Sequence, residues 1–201
     1  MAYTLKPIER LARELSRLPG VGLKSATRLA FHIVEADDVS IDGLVASLQD
    51  IKKEIFICPV CFGYSIADGE CDVCSDHTRY KGSICVVQRP QDVFVMERGG
   101  YNGLYHVLHG IVSPLDGVGP DDIKLKELFE RIRDNDINEI IIALNPSVEG
   151  DATTMFVAKS LTGTGVKVSR LARGVPAGAS IDYVDDLTLS RAMEERQVVV
   201  C

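Results

Sequence analysis

A multidomain α plus α/β architecture is predicted for this chain: a helical amino-terminal lobe, a four-cysteine knuckle and a domain built on a parallel sheet. Three observations predict it. Apolar side chains recur at helical spacing through residues 1–55, and Cys58, Cys61, Cys71 and Cys74 form two C-x2-C pairs. From Ser83 onward, short apolar runs alternate with helical patterns. With 201 residues, 46% of them apolar, the chain can bury at least one full core. No apolar run approaches the roughly 20 residues of a membrane span, and no apolar signal region follows Met1. A soluble, cytoplasmic protein is the expectation.

The first helix is carried by Ile8, Leu11, Leu15 and Leu18, with Arg10, Arg13 and Arg17 on a different stripe. Leu18-Pro19-Gly20-Val21-Gly22 then breaks it, because proline cannot continue the hydrogen-bond ladder and glycine takes backbone angles that other residues avoid. A second helix is predicted from Leu23 to Val34, packing through Ala26, Leu29, Ala30 and Ile33. Helix, LPGVG turn and helix, with Lys24 and Arg28 early in the second helix, resemble the helix-hairpin-helix of many DNA-repair proteins. The bland alternative is an ordinary two-helix corner. A P-loop is rejected, since Leu23 separates Gly22 from Lys24 and no strand precedes the turn.

Charge points the same way. The formal net charge is -7, but residues 1–33 hold six basic side chains against Glu9 and Glu14, so that segment is +4 and the remainder -11. A local basic surface on an acidic body suits nucleic acid, although a solvated helix face would look similar. Glycines without side chains let free N–H groups at a helix N-terminus approach phosphate oxygens, a contact that reads no base sequence. Gly20 and Gly22 are candidate DNA contacts on this ground; the helix-hairpin-helix resemblance implies Lys24 and Arg28 as DNA-contacting positions beside them, and Arg10 and Arg13 are added from charge alone.

A third helix, Ile41 to Ile55, places Leu44, Leu48, Ile51 and Ile55 on one stripe and leads into Cys58. Two C-x2-C pairs separated by nine residues can enclose one tetrahedral ion through four thiolates, a closed structural zinc site with no open position for catalysis. Such chelation stabilises small peptides by on the order of 10 kcal/mol. Two disulfides are the alternative, but that reading suits a secreted domain and leaves Cys85 and Cys201 alone. His77 follows Cys74 by three residues and is expected to be a bystander.

In the sheet domain, strands are predicted at Ile84–Val87, Tyr105–Leu108, Ile140–Leu144 and Val166–Val168. Helices are predicted at Gln91–Arg98, Ile123–Asp134, Asp151–Leu161 and Thr188–Arg196. Function in such sheets gathers at the C-terminal strand ends. There the segments around Gln88 and Asn145-Pro146-Ser147 resemble the Toprim fold of topoisomerases and primases, in which a glutamate and an Asp-x-Asp pair bind magnesium. Here Gln88, Asn145 and Ser147 replace all three carboxylates, so the resemblance implies the fold without the reaction. The competing reading is a magnesium-dependent nuclease or topoisomerase-like enzyme using Glu149, Asp151 and Asp92.

The order of these parts, with Tyr105 to Gly110, Ser113 to Pro120 and Arg173-Gly174-Val175-Pro176, is similar to that of the RecR family of bacterial recombination mediators. The resemblance implies a helix-hairpin-helix lobe over residues 1–55, a zinc finger over 56–80, a Toprim-like domain over 81–176 and a C-terminal helix and strand over 177–201. It implies a non-catalytic DNA clamp and adaptor that acts with RecO, and often RecF, to load recombinase on single-stranded DNA. It further implies a ring-like homotetramer around double-stranded or junction DNA, with Glu149 and Asp151 as candidate RecO contacts. The run Gln197 to Val200 is either an internal sheet edge or a strand that pairs with a neighbouring subunit.

Overall fold

The computed structural model describes residues 5–198, which divide into two compact units, one ending at Ile55 and the other starting at Phe56. The first unit contains α1 (Lys6–Leu15), α2 (Leu23–Glu35) and α3 (Asp38–Glu54). Helices α1 and α2 pack through Ala12, Ala26 and Ala30, supported by Ile8, Leu11, Leu15 and Val21. Alanine at the contact lets the two backbones come close. Two expectations fail here. Leu18 lies beyond the end of α1 and is exposed, as is Leu29, because the small side chains at 26 and 30 make the contact instead.

Helix α3 starts at a true cap: the Asp37 carboxylate accepts from the Ser40 N–H at 2.9 Å and from the Ser40 hydroxyl at 2.7 Å. None of its side chains is buried. Ile41, Leu44, Leu48, Ile51 and Ile55 follow one another at alternating steps of three and four, the spacing of a coiled-coil seam. Yet Leu48 is 62% exposed and Ile51 60%. The helix expected from this stripe is present, one turn longer at its start, but its apolar face has no cover among the described residues.

The second unit opens with a short antiparallel pair, β1 (Phe56–Ile57) and β2 (Tyr64–Ser65), and the brief helix α4 (Asp72–Ser75). A four-stranded parallel sheet follows, in the order β4 (Leu104–Val107), β3 (Ser83–Val87), β5 (Glu139–Ala143), β6 (Lys167–Arg170). All five residues of β3 are buried, which is why its sequence is a continuous apolar run rather than an alternation. Ile84 and Val86 face one core, with Leu108, Leu128 and Ile140. Cys85 and Val87 face another with Tyr105 and Val107, covered by Val93 and Met96 of α5 (Pro90–Arg98) and by Phe62 of the knuckle.

Three further helices complete the unit: α6 (Leu125–Arg133), α7 (Val148–Ser160) and α8 (Asp186–Glu194). Each predicted strand and helix of this domain is found, with ends displaced by a few residues. The largest displacement is at α7, which begins at Val148 because Ser147 is its N-cap and accepts from the Gly150 N–H at 3.1 Å. Gln197 and Val198 form no strand, and the rest of that apolar run lies outside the described residues.

Candidate metal centre and nucleic-acid interface

The knuckle is shaped by its backbone before any metal is considered. The Cys58 N–H donates to the Gly63 carbonyl at 2.8 Å and the Phe62 N–H to the Cys58 carbonyl at 3.0 Å, closing a tight turn around Cys61. Phe62 accordingly adopts φ 61°, a left-handed angle that a bulky side chain rarely takes. Cys71 opens α4 as its N-cap, so Cys74 returns one turn later toward the same point. The four sulfurs lie within 4.8 Å of one another, with Cys58, Cys61 and Cys71 buried.

This donor set fits a tetrahedral thiophilic ion such as zinc. Two backbone N–H groups aim at the sulfurs, Gly63 at Cys61 Sγ and Cys71 at Cys58 Sγ, each at 3.4 Å, contacts that favour thiolate. Crowding divides the set: the Cys71 sulfur, together with burial, pushes the Cys61 thiol up to about 12 and the Cys61 and Cys71 sulfurs raise Cys74, whereas the Cys61 and Cys74 sulfurs hold Cys71 low, as its deprotonated member. A cation among them removes that conflict. His77 is exposed, with Nδ1 3.4 Å from the Lys81 ammonium, and does not join the four sulfurs.

The knuckle is fastened to the sheet at several points. The Val107 N–H donates to the Cys61 carbonyl at 2.8 Å, and His109 Nε2 lies 2.8 Å from the Phe62 carbonyl. The Phe62 ring meets the buried His106 imidazole edge-on at 5.3 Å. Burial pushes His106 down to about 4, so it is neutral, and its Nε2–H donates to the Lys124 carbonyl at 2.7 Å. Below the knuckle, Arg79 donates to the Gly103 carbonyl at 3.0 Å and pairs with Glu97, which also accepts from the Tyr105 hydroxyl at 2.7 Å.

In the first unit, the turn before α2 presents backbone donors. Gly22 is the N-cap of α2 and no side chain caps the helix, so the first N–H groups of α2 lack the partner that a capping side chain would give. Gly20 has φ +79°, which explains its glycine; Gly22 has φ -74°, open to any residue, and nothing stands within 4 Å of where its Cβ would lie. Lys24 and Arg28 are exposed one turn apart on α2, and Arg10 and Arg13 are exposed on α1. None of the four has an ion-pair partner among the described residues. Arg17, by contrast, pairs with Glu14 at 3.0 Å.

At the C-terminal strand ends, a cleft of about 560 Å³ opens over β3, β5 and β6. Gly150 is obligatory there, since a Cβ would sit 2.2 Å from the Asn145 carbonyl oxygen. Asp151 is bound by both terminal nitrogens of Arg173, one contact at 3.2 Å to Oδ2, and the guanidinium holds its carboxyl below the usual carboxylate range. Asp92 is paired with Arg89 at 3.2 Å. Glu149, Asp151 and Asp92 do not bring their oxygens together; among the described residues, only the four cysteines form a set close enough to share an ion. Sequence reasoning found Asp151 but missed its partner, 22 residues away and without any local signal.

Comparison with known proteins matches the parts on either side of the knuckle in order. A model of the RecR helix-hairpin-helix covers residues 8–52, a Toprim-domain model residues 82–172 and a RecR C-terminal model residues 174–197. A recombination protein RecR of Chloroherpeton thalassium is 45% identical over 204 aligned residues, covering 98% of each chain. One from Deinococcus radiodurans is 48% identical over 190 residues, 94% of this chain and 85% of that protein, and one from Tropheryma whipplei is 44% identical over 193, 96% of this chain and 97% of that protein. With three family models matched in sequence order and relatives of this identity aligned from end to end, the chain belongs to the RecR family of recombination proteins.

Proposed function

We propose that this protein is a non-catalytic DNA clamp and adaptor in recombinational DNA repair, acting with RecO, and with RecF where that is present, to promote recombinase loading on single-stranded DNA. The observation that carries the reading is the uncapped start of α2, where N–H donors of the first turn adjoin the exposed, unpaired Lys24 and Arg28. A phosphate is favoured there by the helix dipole, by open donors and by two cations, and none of these reads a base. Gly20 and Gly22 leave room for the backbone to approach, and Arg10 and Arg13 extend the charge. The replacement of three metal-binding carboxylates by Gln88, Asn145 and Ser147, and the Arg173 guanidinium on Asp151, favour an adaptor over a magnesium enzyme.

One such site is weak. Several around a common hole would act together through effective concentration, which is the physical case for a homotetrameric ring. The uncovered seam of α3 supports association between copies. Zinc at Cys58, Cys61, Cys71 and Cys74 is structural in this reading. Glu149 offers RecO a negative contact more readily than Asp151 does, since Asp151 is already paired. The protein acts in the bacterial cytoplasm, at the nucleoid when bound.

The test is Lys24→Ala with Arg28→Ala in the full chain. Retention on a short duplex should fall at least tenfold, and the plot of log affinity against log salt should flatten by about 0.9 for every phosphate that the variant leaves unneutralised. Zinc content and melting temperature should be unchanged. Undiminished binding would dismiss the hairpin assignment; magnesium-dependent nicking of plasmid abolished by Glu149→Gln would dismiss the non-catalytic reading.

A further inference from the structure

The charges of α1 oppose its own folding. Lys6, Arg10 and Arg13 are exposed at successive steps of four and three, so each cation is the helix neighbour of the next, a spacing at which like charges repel. Lys6 is also the first residue of the helix, where the positive end of the dipole disfavours a cation. Arg17, four residues beyond Arg13, continues the series just past the helix end. Glu9 and Glu14 lie on the same helix, yet among the described residues the one ion pair they form is that of Glu14 with Arg17. A surface that conflicts with its own element in this way is characteristic of a binding face.

Its direction follows from helix geometry. At about 3.6 residues per turn, Ile8, Leu11, Ala12 and Leu15, which pack on α2, fall on one side of α1, while Lys6, Arg10 and Arg13 fall within a sector about 60° wide on the side away from α2. Lys24 and Arg28 are likewise turned away from Ala26 and Ala30, the residues of α2 that meet α1. The two cationic faces therefore stand back to back across the α1–α2 pair. At about 1.5 Å per residue, Lys6 also lies about 14 Å along α1 from Leu15, where the helix ends before the hairpin turn. A phosphate held at the start of α2 is out of its reach.

We infer, on the strength of the DNA site proposed at the start of α2, that the outward face of α1 binds a second DNA duplex, so that one lobe holds two DNA segments, one on each side. Chemistry selects this ligand. The face consists of Lys6, Glu9, Arg10, Arg13, Glu14 and Arg17 and has no apolar side chain, whereas a protein partner is gripped through an apolar core depleted of charge. Single strands are held by stacking bases on aromatic rings, and α1 has none. A lipid surface takes up a helix by its apolar side, which in α1 is covered by α2. A duplex turns its phosphates outward and needs only cations, which release its condensed counterions. This face is the weaker of the two, because its cations act without the glycine turn that admits a phosphate to the backbone.

The experiment titrates the intact, zinc-loaded protein with a short duplex, at concentrations that fill both faces, and reads the number bound per chain by sedimentation. Lys6→Ala with Arg10→Ala and Arg13→Ala should halve the number that the parent binds, and so should Lys24→Ala with Arg28→Ala. The triple variant should melt no lower than the parent, since repelling charges have been removed. A triple variant that keeps the parent's number at reduced affinity would place these cations in the hairpin's own site, overturning the two-face arrangement and leaving the hairpin reading intact. A triple variant that binds none, beside a Lys24→Ala, Arg28→Ala protein that keeps the parent's number, would remove the hairpin reading as well. A melting temperature several degrees lower would show the stripe to be structural and overturn the proposal. Polyglutamate that displaces the duplex from the Lys24→Ala, Arg28→Ala protein at equal charge would also overturn it, by assigning the face to an acidic protein. Should the triple variant fail to fold, Arg10→Gln with Arg13→Gln is read by the same count.

Discussion

Asp151 shows how the neighbour of a carboxylate decides what its charge does. In a magnesium site its carboxylate would face a metal; here it faces the Arg173 guanidinium, and Gly150 beside it packs against the Asn145 carbonyl. Arg173 lowers the acid's folded pKa, so the pair stabilises the protein above the ordinary carboxylate pKa near 3.8 and stops doing so as pH falls through the lower folded value. Asp151 is 35% exposed and Arg173 16%, so the contribution is modest, about 0.5–1 kcal/mol. Asp151→Asn should therefore lower the melting temperature by a degree or two at pH 7, and the difference from the parent should shrink steadily below pH 4, as followed by circular dichroism. A difference that persists unchanged at the acid end would mean that packing, not charge, supports the segment.

At the level of elements, what could be read from the sequence was whatever is encoded locally. Two-residue spacers between cysteines bring their sulfurs together by backbone geometry alone, and the unbroken run Ile84-Cys85-Val86-Val87 announces a strand buried on both faces. The apolar stripe of α3 announced a helix equally well, but not what the stripe rests against, because periodicity identifies a face and never its partner. The same limit concealed Arg173, whose meaning depends on a residue far along the chain. Leu18 and Leu29 misled because spacing counts large apolar residues, whereas the α1–α2 contact is made by alanines. If the α3 seam joins copies, Leu44→Glu with Leu48→Glu should reduce the mass measured by light scattering at least twofold while leaving the helical content intact. A parent protein that is already monomeric would remove the ring from the proposed function.

For the molecule as a whole, the knuckle is wired to the second core of the sheet through the Cys61 carbonyl, the Phe62 ring and His109. If the four cysteines hold an ion, chelating it should thus do more than loosen residues 56–80. Stripping it with a strong chelator in native buffer is expected to lower the unfolding temperature of the sheet by several degrees and to raise hydrogen exchange at Val107, with zinc restoring both. Restoration by zinc but not by magnesium would identify the ion's class, and an unchanged sheet would show the knuckle to be an isolated appendage. Gly22 separates two properties that ordinarily fail together. Its backbone angles suit alanine and the space beside it is vacant, so folding alone does not demand glycine there. Gly22→Ala should melt no lower than the parent; under the proposed function it should hold duplex DNA several-fold less tightly in a filter-binding titration, because there the missing methyl group leaves room for a visitor rather than for the protein itself.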